Sequence, residues 1–446
     1  MKAPKVGVLA LARSTFDMEF AEEIVLKAWN NLQASKLELV GSPKLLMDDA
    51  TVQNALQTLE KEPCDLLLIL QVTFTDASMI AGIAQSIQAP LVLWSFPEPR
   101  NGGRLRLNSL CGINLAGHSL GKNEQAFHYV HQAAEQAEAT EKISSLAKAS
   151  QVVRRLRETK LAVIGKHPDG FDTCSYDPKT ANEFLGVQVD SIPLPDFIEQ
   201  AKDIPDQETD QVYQRVDQEV TNLAEMEEAS LRKSLKVYSA LSHLAEKQKY
   251  QGLAVRCWPE FFTDFGCAAC GAMSMMNEDQ IPCGCEADLY GTLTTLILQW
   301  IGEKPAFLTD LVDIDPQDNT GVFWHCGLAP KSMADPQSEI RATLHTNRKK
   351  PLLYEFPLKP GRVTIARLSQ AKNRTQLVLA GGEMLRRPMS YTGTSGVIRF
   401  DLPAQQILDT IMAERLEHHF SISYGEFRPV LRNFAKMLDL QVLEMT

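Results

Sequence analysis

At 446 residues the chain has the length of about three average domains and is long enough to bury a substantial core. With 44% hydrophobic and 23% charged residues it lies far from disordered, collagen-like and low-complexity compositions. Lys and Arg number 45 against 56 Asp and Glu, a formal net charge of −11, so the overall field opposes phosphate backbones and anionic lipid, and neither nucleic acid nor membrane is expected as a partner.

The most apolar stretches, Asp65–Phe74 and Leu289–Gly302, fall short of the ~18 consecutive apolar residues of a spanning helix. The opening Met1–Lys5 is basic, but Val6–Ala12 is a short apolar run without a small-residue cleavage site, so a cytoplasmic protein is expected. Five of the nine cysteines crowd between Cys257 and Cys285, which is no framework for a secreted disulfide scaffold.

Over the first ~150 residues, apolar runs at Lys5–Leu11, Leu37–Gly41, Cys64–Leu70 and Pro90–Phe96 predict strands. Helix-period segments at Glu19–Leu32, Thr51–Lys61 and Ala77–Ile87 separate them, with Asp48 or Asp49 as a cap for the second. This pattern predicts a doubly wound α/β domain, which places ligands beyond the carboxyl ends of its strands. The segment after the fourth strand, Pro97–Gly117, holds Arg100, Arg104, Arg106, Asn108 and Ser109, read either as hydroxyl and anion recognition or as a solvated loop with a helix cap.

Gln132–Arg157 has a strongly helical composition and predicts the first boundary. Strands at Lys160–Gly165, Gln188–Ile192 and Gly252–Cys257, around the helix-forming stretch Asp206–Lys249, predict a second α/β domain. From Pro305 onward, Val322–Trp324, Gly361–Leu368, Gln376–Ala380 and Gly396–Phe400 are β-like and separated by Gly, Pro and Asn turns. The expected architecture is two doubly wound α/β domains, 1–157 and 158–304, followed by a mostly β, barrel-like domain, 305–446.

Two clusters offer chemistry. Cys267-x2-Cys270 and Cys283-x-Cys285 present four thiols that could hold a structural zinc, giving a non-catalytic sugar-binding or structural protein; the competing reading is buried thiols in a small apolar core. The second cluster is hard and mixed. Glu286, in CEADLYG, stands at a loop-to-helix junction, as a site carboxylate or as a helix cap. Asp310, in FLTD, is an acid inside an apolar strand and requires a partner. His325 ends the strand of GVFWHCG, and His418 and His419 lie in EHHFSISYG; alternation along a strand predicts that only one of this last pair faces the site. Such an oxygen and nitrogen set suits Mn²⁺, Co²⁺ or Mg²⁺.

The order of CEADLYG, FLTD, FWHCG and EHHFSISYG over most of the chain resembles the L-fucose isomerase and L-arabinose isomerase family, as does the three-part organisation. The resemblance implies a metal-dependent aldose–ketose isomerase with a divalent cation, usually manganese. It implies Glu286 and Asp310 as carboxylate ligands and proton carriers, His419 as the late histidine ligand, and His325 as a further ligand or a substrate contact. An Asp at the second position resembles the fucose branch, and the histidine of FWHCG resembles the arabinose branch. Arg104, Arg106, Asn108, His118, Trp258 and Glu260 are candidate substrate contacts, and the arginines admit an anionic hexose such as sulfoquinovose beside deoxyhexoses and pentoses. The resemblance further implies a homo-oligomer, trimer or hexamer, with the Arg100–His118 region acting on a neighbouring subunit's site.

Overall fold

A computed structural model describes residues Lys2–Met445, which form two compact units divided between Arg154 and Arg155. The first unit holds β1 (Lys5–Leu11), β2 (Glu38–Leu46), β3 (Leu66–Gln71), β4 (Leu91–Ser95) and β5 (Phe127–His131). All pair in parallel, in the order β2-β1-β3-β4-β5. Every residue of β3 and β4 is buried, as expected for strands covered by helices on both faces. Asp48 caps the helix Asp49–Lys61 by accepting from Thr51 N at 2.8 Å. At the sheet edge, β5 (Phe-His-Tyr-Val-His) buries only Val130, so it carries no apolar run that would announce a strand.

The second unit contains two sheets. The smaller comprises β6 (Lys160–Ile164), β7 (Gln188–Ile192), β8 (Gly252–Val255) and β9 (Cys283–Gly284), parallel throughout and ordered β7-β6-β8-β9. The larger comprises β10 (Phe307–Asp315), β11 (Thr320–His325), β12 (Arg341–Thr343), β13 (Leu353–Pro357), β14 (Gly361–Ser369), β15 (Gln376–Leu385), β16 (Thr394–Phe400), β17 (His419–Tyr424) and β18 (Gln441–Met445). Its order is β12-β13-β16-β11-β10-β17-β14-β15-β18, and a further β15–β16 pairing closes the strands from β16 through β15 into a barrel, in line with the expected barrel-like character.

The helix Leu289–Gly302 explains why segments 158–304 and 305–446, expected as separate domains, form one compact unit. It is buried from Leu289 through Ile301 and packs on β8 and β9 of the small sheet and on β10, β14 and β17 of the large one. A helix that is apolar on every face must be enclosed on every face. One hydrophobic cluster accordingly runs from Ala162 to Met445. Among the described residues no helix is long and apolar enough to cross a membrane.

Candidate active site

The strand register creates the centre of the site. Asp310 on β10 lies directly opposite His419 on β17 and directly opposite Trp324 on β11. Opposed residues of antiparallel strands project to the same face, so Asp310 and His419 meet. His419 Nε2 stands 3.3 Å from Asp310 Oδ1 and 3.8 Å from Glu286 Oε2, while its Nδ1 lies 3.0 Å from Asp288 Oδ2.

Glu286 reaches this centre through an uncommon backbone. Glu286 and Ala287 are consecutive non-glycine residues in the left-handed region, at φ 57° and 56°. Each costs about 1–2 kcal/mol relative to the right-handed form. Asp288, not Glu286, caps the following helix, accepting from Gly291 N at 2.9 Å. The cap reading of Glu286 is thereby corrected: its carboxylate accepts from Trp258 Nε1 at 3.1 Å and lies 3.1 Å from His418 Nε2. Burial pushes its pKa up, but the hydrogen bond from His418, the charge of His419 and the Trp258 bond outweigh it and leave Glu286 below the usual carboxylate range.

The expectation that only one of the paired histidines faces the site does not hold. His418 precedes β17, so strand alternation does not govern it. The rings of His418 and His419 are 4.1 Å apart, and both approach Glu286. Thr173 Oγ1 contacts His418 Nδ1 at 2.9 Å. A carboxylate only accepts, so the His418 Nε2–H donates to Glu286.

The donor set fits a divalent cation. When His419 Nδ1 donates to Asp288, the Nε2 lone pair faces two carboxylate oxygens, three acceptors with no proton between them. Asp310 Oδ1 is buried and has no hydrogen-bond partner. Ligand atoms of Cys174, Glu286, His418 and His419 lie within 4.8 Å of one another, as do those of Asp310, His325 and His419, so His419 belongs to both groups. A divalent cation between these atoms would satisfy them.

Beneath the centre, Asp288 Oδ2 pairs with Arg367 Nη1, and the two side chains are 1% and 2% exposed. Burial raises the Asp288 pKa, yet Arg367 and His419 hold it well below the usual range. A Cβ on Gly291 would come within 2.5 Å of Asp288 Oδ2 and 2.8 Å of Arg367 Nη1, so the pair fits because residue 291 has no side chain. An acid fixing the second nitrogen of a ligating histidine is the usual way such a ring is oriented.

The structure distributes the remaining expected residues unevenly. Trp258 and His325 line a cavity of about 220 Å³ together with Glu286, Asp310 and His419. Glu260 does not line it; both its oxygens accept from Arg256 Nε, at 3.0 and 2.8 Å. Arg104, Arg106, Asn108 and His118 belong to the first unit. There Arg104 and Arg106 share the Asp17 carboxylate at 3.2 and 2.8 Å, and Arg106 also lies over the Phe20 ring. Asn108 N donates to Glu98, and His118 is exposed on the helix Ser109–Lys122. The four thiols Cys267, Cys270, Cys283 and Cys285 do not converge as a zinc site requires: Cys285 faces Cys257 at 2.8 Å and Cys270 faces Cys326 at 3.4 Å. Among the described residues no group of metal-ligating side chains contains those four.

Cys174, Asp288, Arg367 and Arg348 were not expected at the site. Arg367, inside the apolar strand sequence GRVTIARLS, carries the same signal that singled out Asp310, since a cation in a buried strand needs a counter-charge. Asp288 stands two residues after Glu286, in the cap position. Cys174 and Arg348 give no such signal, because only the tertiary fold carries Cys174 to Glu286 and His419 and Arg348 to the cavity.

Two family models match the chain. Fucose/sulfoquinovose isomerase, N-terminal domain, matches residues 7–157, and L-fucose isomerase, C-terminal domain, matches residues 323–446. Similar proteins include the sulfoquinovose isomerase of Alkalicoccus urumqiensis, 29% identical over 444 residues and 98% of each chain. Those of Priestia aryabhattai and Clostridium sp. (strain MSTE9) are 30% identical over 442 and 447 residues, in both cases 99% of each chain.

Proposed function

Since the chain belongs to the fucose/sulfoquinovose isomerase family and is an aldose–ketose isomerase, we propose that it converts sulfoquinovose, a hexose bearing a sulfonate at C6, to the ketose sulfofructose. The substrate rests on the names of relatives that match over the whole length. The chemistry rests on one observation, the convergence of Glu286, Asp310 and the Asp288-anchored His419 around the unpartnered Asp310 oxygen.

In the proposed reaction a proton leaves C2 of the open-chain sugar, its bonding electrons form the C1–C2 double bond of an enediol as the carbonyl electrons move onto O1, and a proton returns at C1 as the carbonyl forms at C2, with the hydroxyl proton passing from O2 to O1. Glu286 is held ionised between Trp258 and His418, the state a base needs to accept the C2 proton. Asp310, the second carboxyl group, must take up a proton from solvent before it can deliver one to C1; the step then leaves Asp310 ionised and Glu286 protonated, solvent exchange restores the starting state, and the two exchange roles in reverse. His419 is kept from rotating by Asp288, and Asp288 by Arg367. Glu286, Asp310 and His419, with His325 as a further ligand or substrate contact, would hold a divalent cation, which when bound polarises the sugar carbonyl and stabilises the enediolate.

The reading includes Mn²⁺, with Co²⁺ or Mg²⁺ as alternatives, and a homo-oligomer, trimer or hexamer, on the strength of the family resemblance. It also includes a cytoplasmic setting, which nine free cysteines suit.

The test strips the protein with chelator, restores Mn²⁺ and follows sulfoquinovose, fucose, arabinose and glucose by NMR. Metal-dependent formation of sulfofructose is expected, with Glu286→Gln slower by about 10²–10⁴-fold. Absence of turnover on every aldose, or full activity in Glu286→Gln, overturns the reading.

A further inference from the structure

The acids that make the centre suitable for a cation make it hostile to an anionic substrate, and the net charge of −11 adds to that field. An isomerase acting on a sulfonated sugar therefore needs a local positive charge away from the reacting carbons. Arg104 and Arg106 are poor sources, since both are paired with Asp17.

Among the described residues lining the cavity, Arg348 is the one Arg or Lys. No carboxylate pairs with it among the described residues. Its guanidinium instead lies over two aromatic rings, 4.9 Å from the Trp258 centroid and 5.0 Å from that of Phe262. Those faces hold the planar cation without neutralising it. Trp258 also locates Arg348 relative to the chemistry, because the indole that it covers donates its N–H to Glu286. The cation and the catalytic carboxylate thus contact the same indole, as the tail and the reacting end of one sugar would require.

His345 completes the arrangement. Burial and the Arg348 charge push its pKa down to about 4, so it is neutral at pH 7. Amides of Asn347 and Arg348 approach its Nδ1 at 3.3 and 3.4 Å and position the ring. A guanidinium only donates, so Arg348 Nη1 donates to His345 Nε2 at 3.2 Å. This bond to a neutral ring orients the guanidinium without cancelling its charge, and its remaining N–H groups suit an anionic oxygen.

We propose that Arg348, supported by His345, is the sulfonate-recognising residue of this site and sets its preference for a sulfonated over a neutral sugar. The assignment rests on the sulfoquinovose reading, and the experiment separates the two. kcat/KM is measured for sulfoquinovose and for 6-deoxyglucose, the same sugar without the sulfonate, in the wild type, Arg348→Gln and Arg348→Lys, with calorimetric binding of sulfoquinovose to each. The ratio of the two kcat/KM values is expected to fall about 10- to 100-fold in Arg348→Gln, mainly through KM for sulfoquinovose, with partial recovery in Arg348→Lys. A wild type that isomerises sulfoquinovose and an Arg348→Gln variant with an unchanged ratio overturn the Arg348 assignment and leave the substrate reading intact. A wild type that binds sulfoquinovose without isomerising it, with binding weakened at least tenfold in Arg348→Gln, refutes the substrate reading and sustains the sulfonate site. A wild type that does not bind sulfoquinovose overturns both.

Discussion

The pair beneath the histidine is where a single charge change has the largest consequence. Asp288 and Arg367 are each almost wholly shielded from water, so Asp288→Asn leaves the Arg367 guanidinium charged in a dry interior. Breaking one partner of a buried ion pair costs about 3–5 kcal/mol. Arg367→Met keeps most of the side-chain volume and removes the cation; the remaining carboxylate still accepts from Gly291 N and contacts His419. The double variant Asp288→Asn/Arg367→Met has no orphaned charge, so its cost should fall below the sum of the singles by about 2–3 kcal/mol. Urea denaturation followed by fluorescence suits the measurement, because Trp258, Trp300 and Trp324 all lie in the second unit. Costs that add within about 0.5 kcal/mol would show that the two charges are not coupled and that Asp288 acts as a helix cap alone.

Gly291→Ala gains up to about 1 kcal/mol in helix propensity, but its methyl would press on the Asp288–Arg367 pair; a net loss of about 1–2 kcal/mol is expected in thermal denaturation, and a raised Tm would contradict the packing argument. In Mn²⁺ titrations by calorimetry, His419→Asn should abolish binding, whereas His418→Asn, which removes a support of Glu286, should weaken it about 10- to 100-fold; the reverse order would exchange their roles. His345 gives a pH test. Its folded pKa of about 4 lies below the ordinary value of 6.5, so the unfolded chain binds the proton more readily. This contribution is complete above pH 6.5 and is lost as pH falls toward 4, by at most about 3 kcal/mol. Stability curves of the wild type and His345→Gln should converge across that window, and parallel curves would rule the contribution out.

Much of the architecture is legible in the sequence because it depends on local patterns. Continuous apolar runs such as Leu66–Gln71 mark strands covered on both faces, and Asp48 before a helix-period segment marks a cap. Glu286, Asp310 and His419, which the structure brings together, stand out in the sequence through their contexts: an acid at a helix start, an acid inside an apolar strand, and a histidine beside an apolar strand. Arg367, a buried cation among the apolar residues of β14, carries the same kind of signal as Asp310. Other features have no local signature. β5 is an edge strand with one buried residue, and its pattern does not differ from a loop. The union of the small sheet with the barrel depends on a helix enclosed on all sides, and apolarity alone does not say which surfaces enclose it. The roles of Asp288 and Arg348 were decided by register and loop placement: the first joins His419 to Arg367, and the second lies over Trp258 without a carboxylate partner. Residue type and spacing determined which side chains could carry charge or bind a cation in this protein, whereas three-dimensional proximity, which is unrelated to sequence separation, decided which charges are neutralised and which remain available to a ligand.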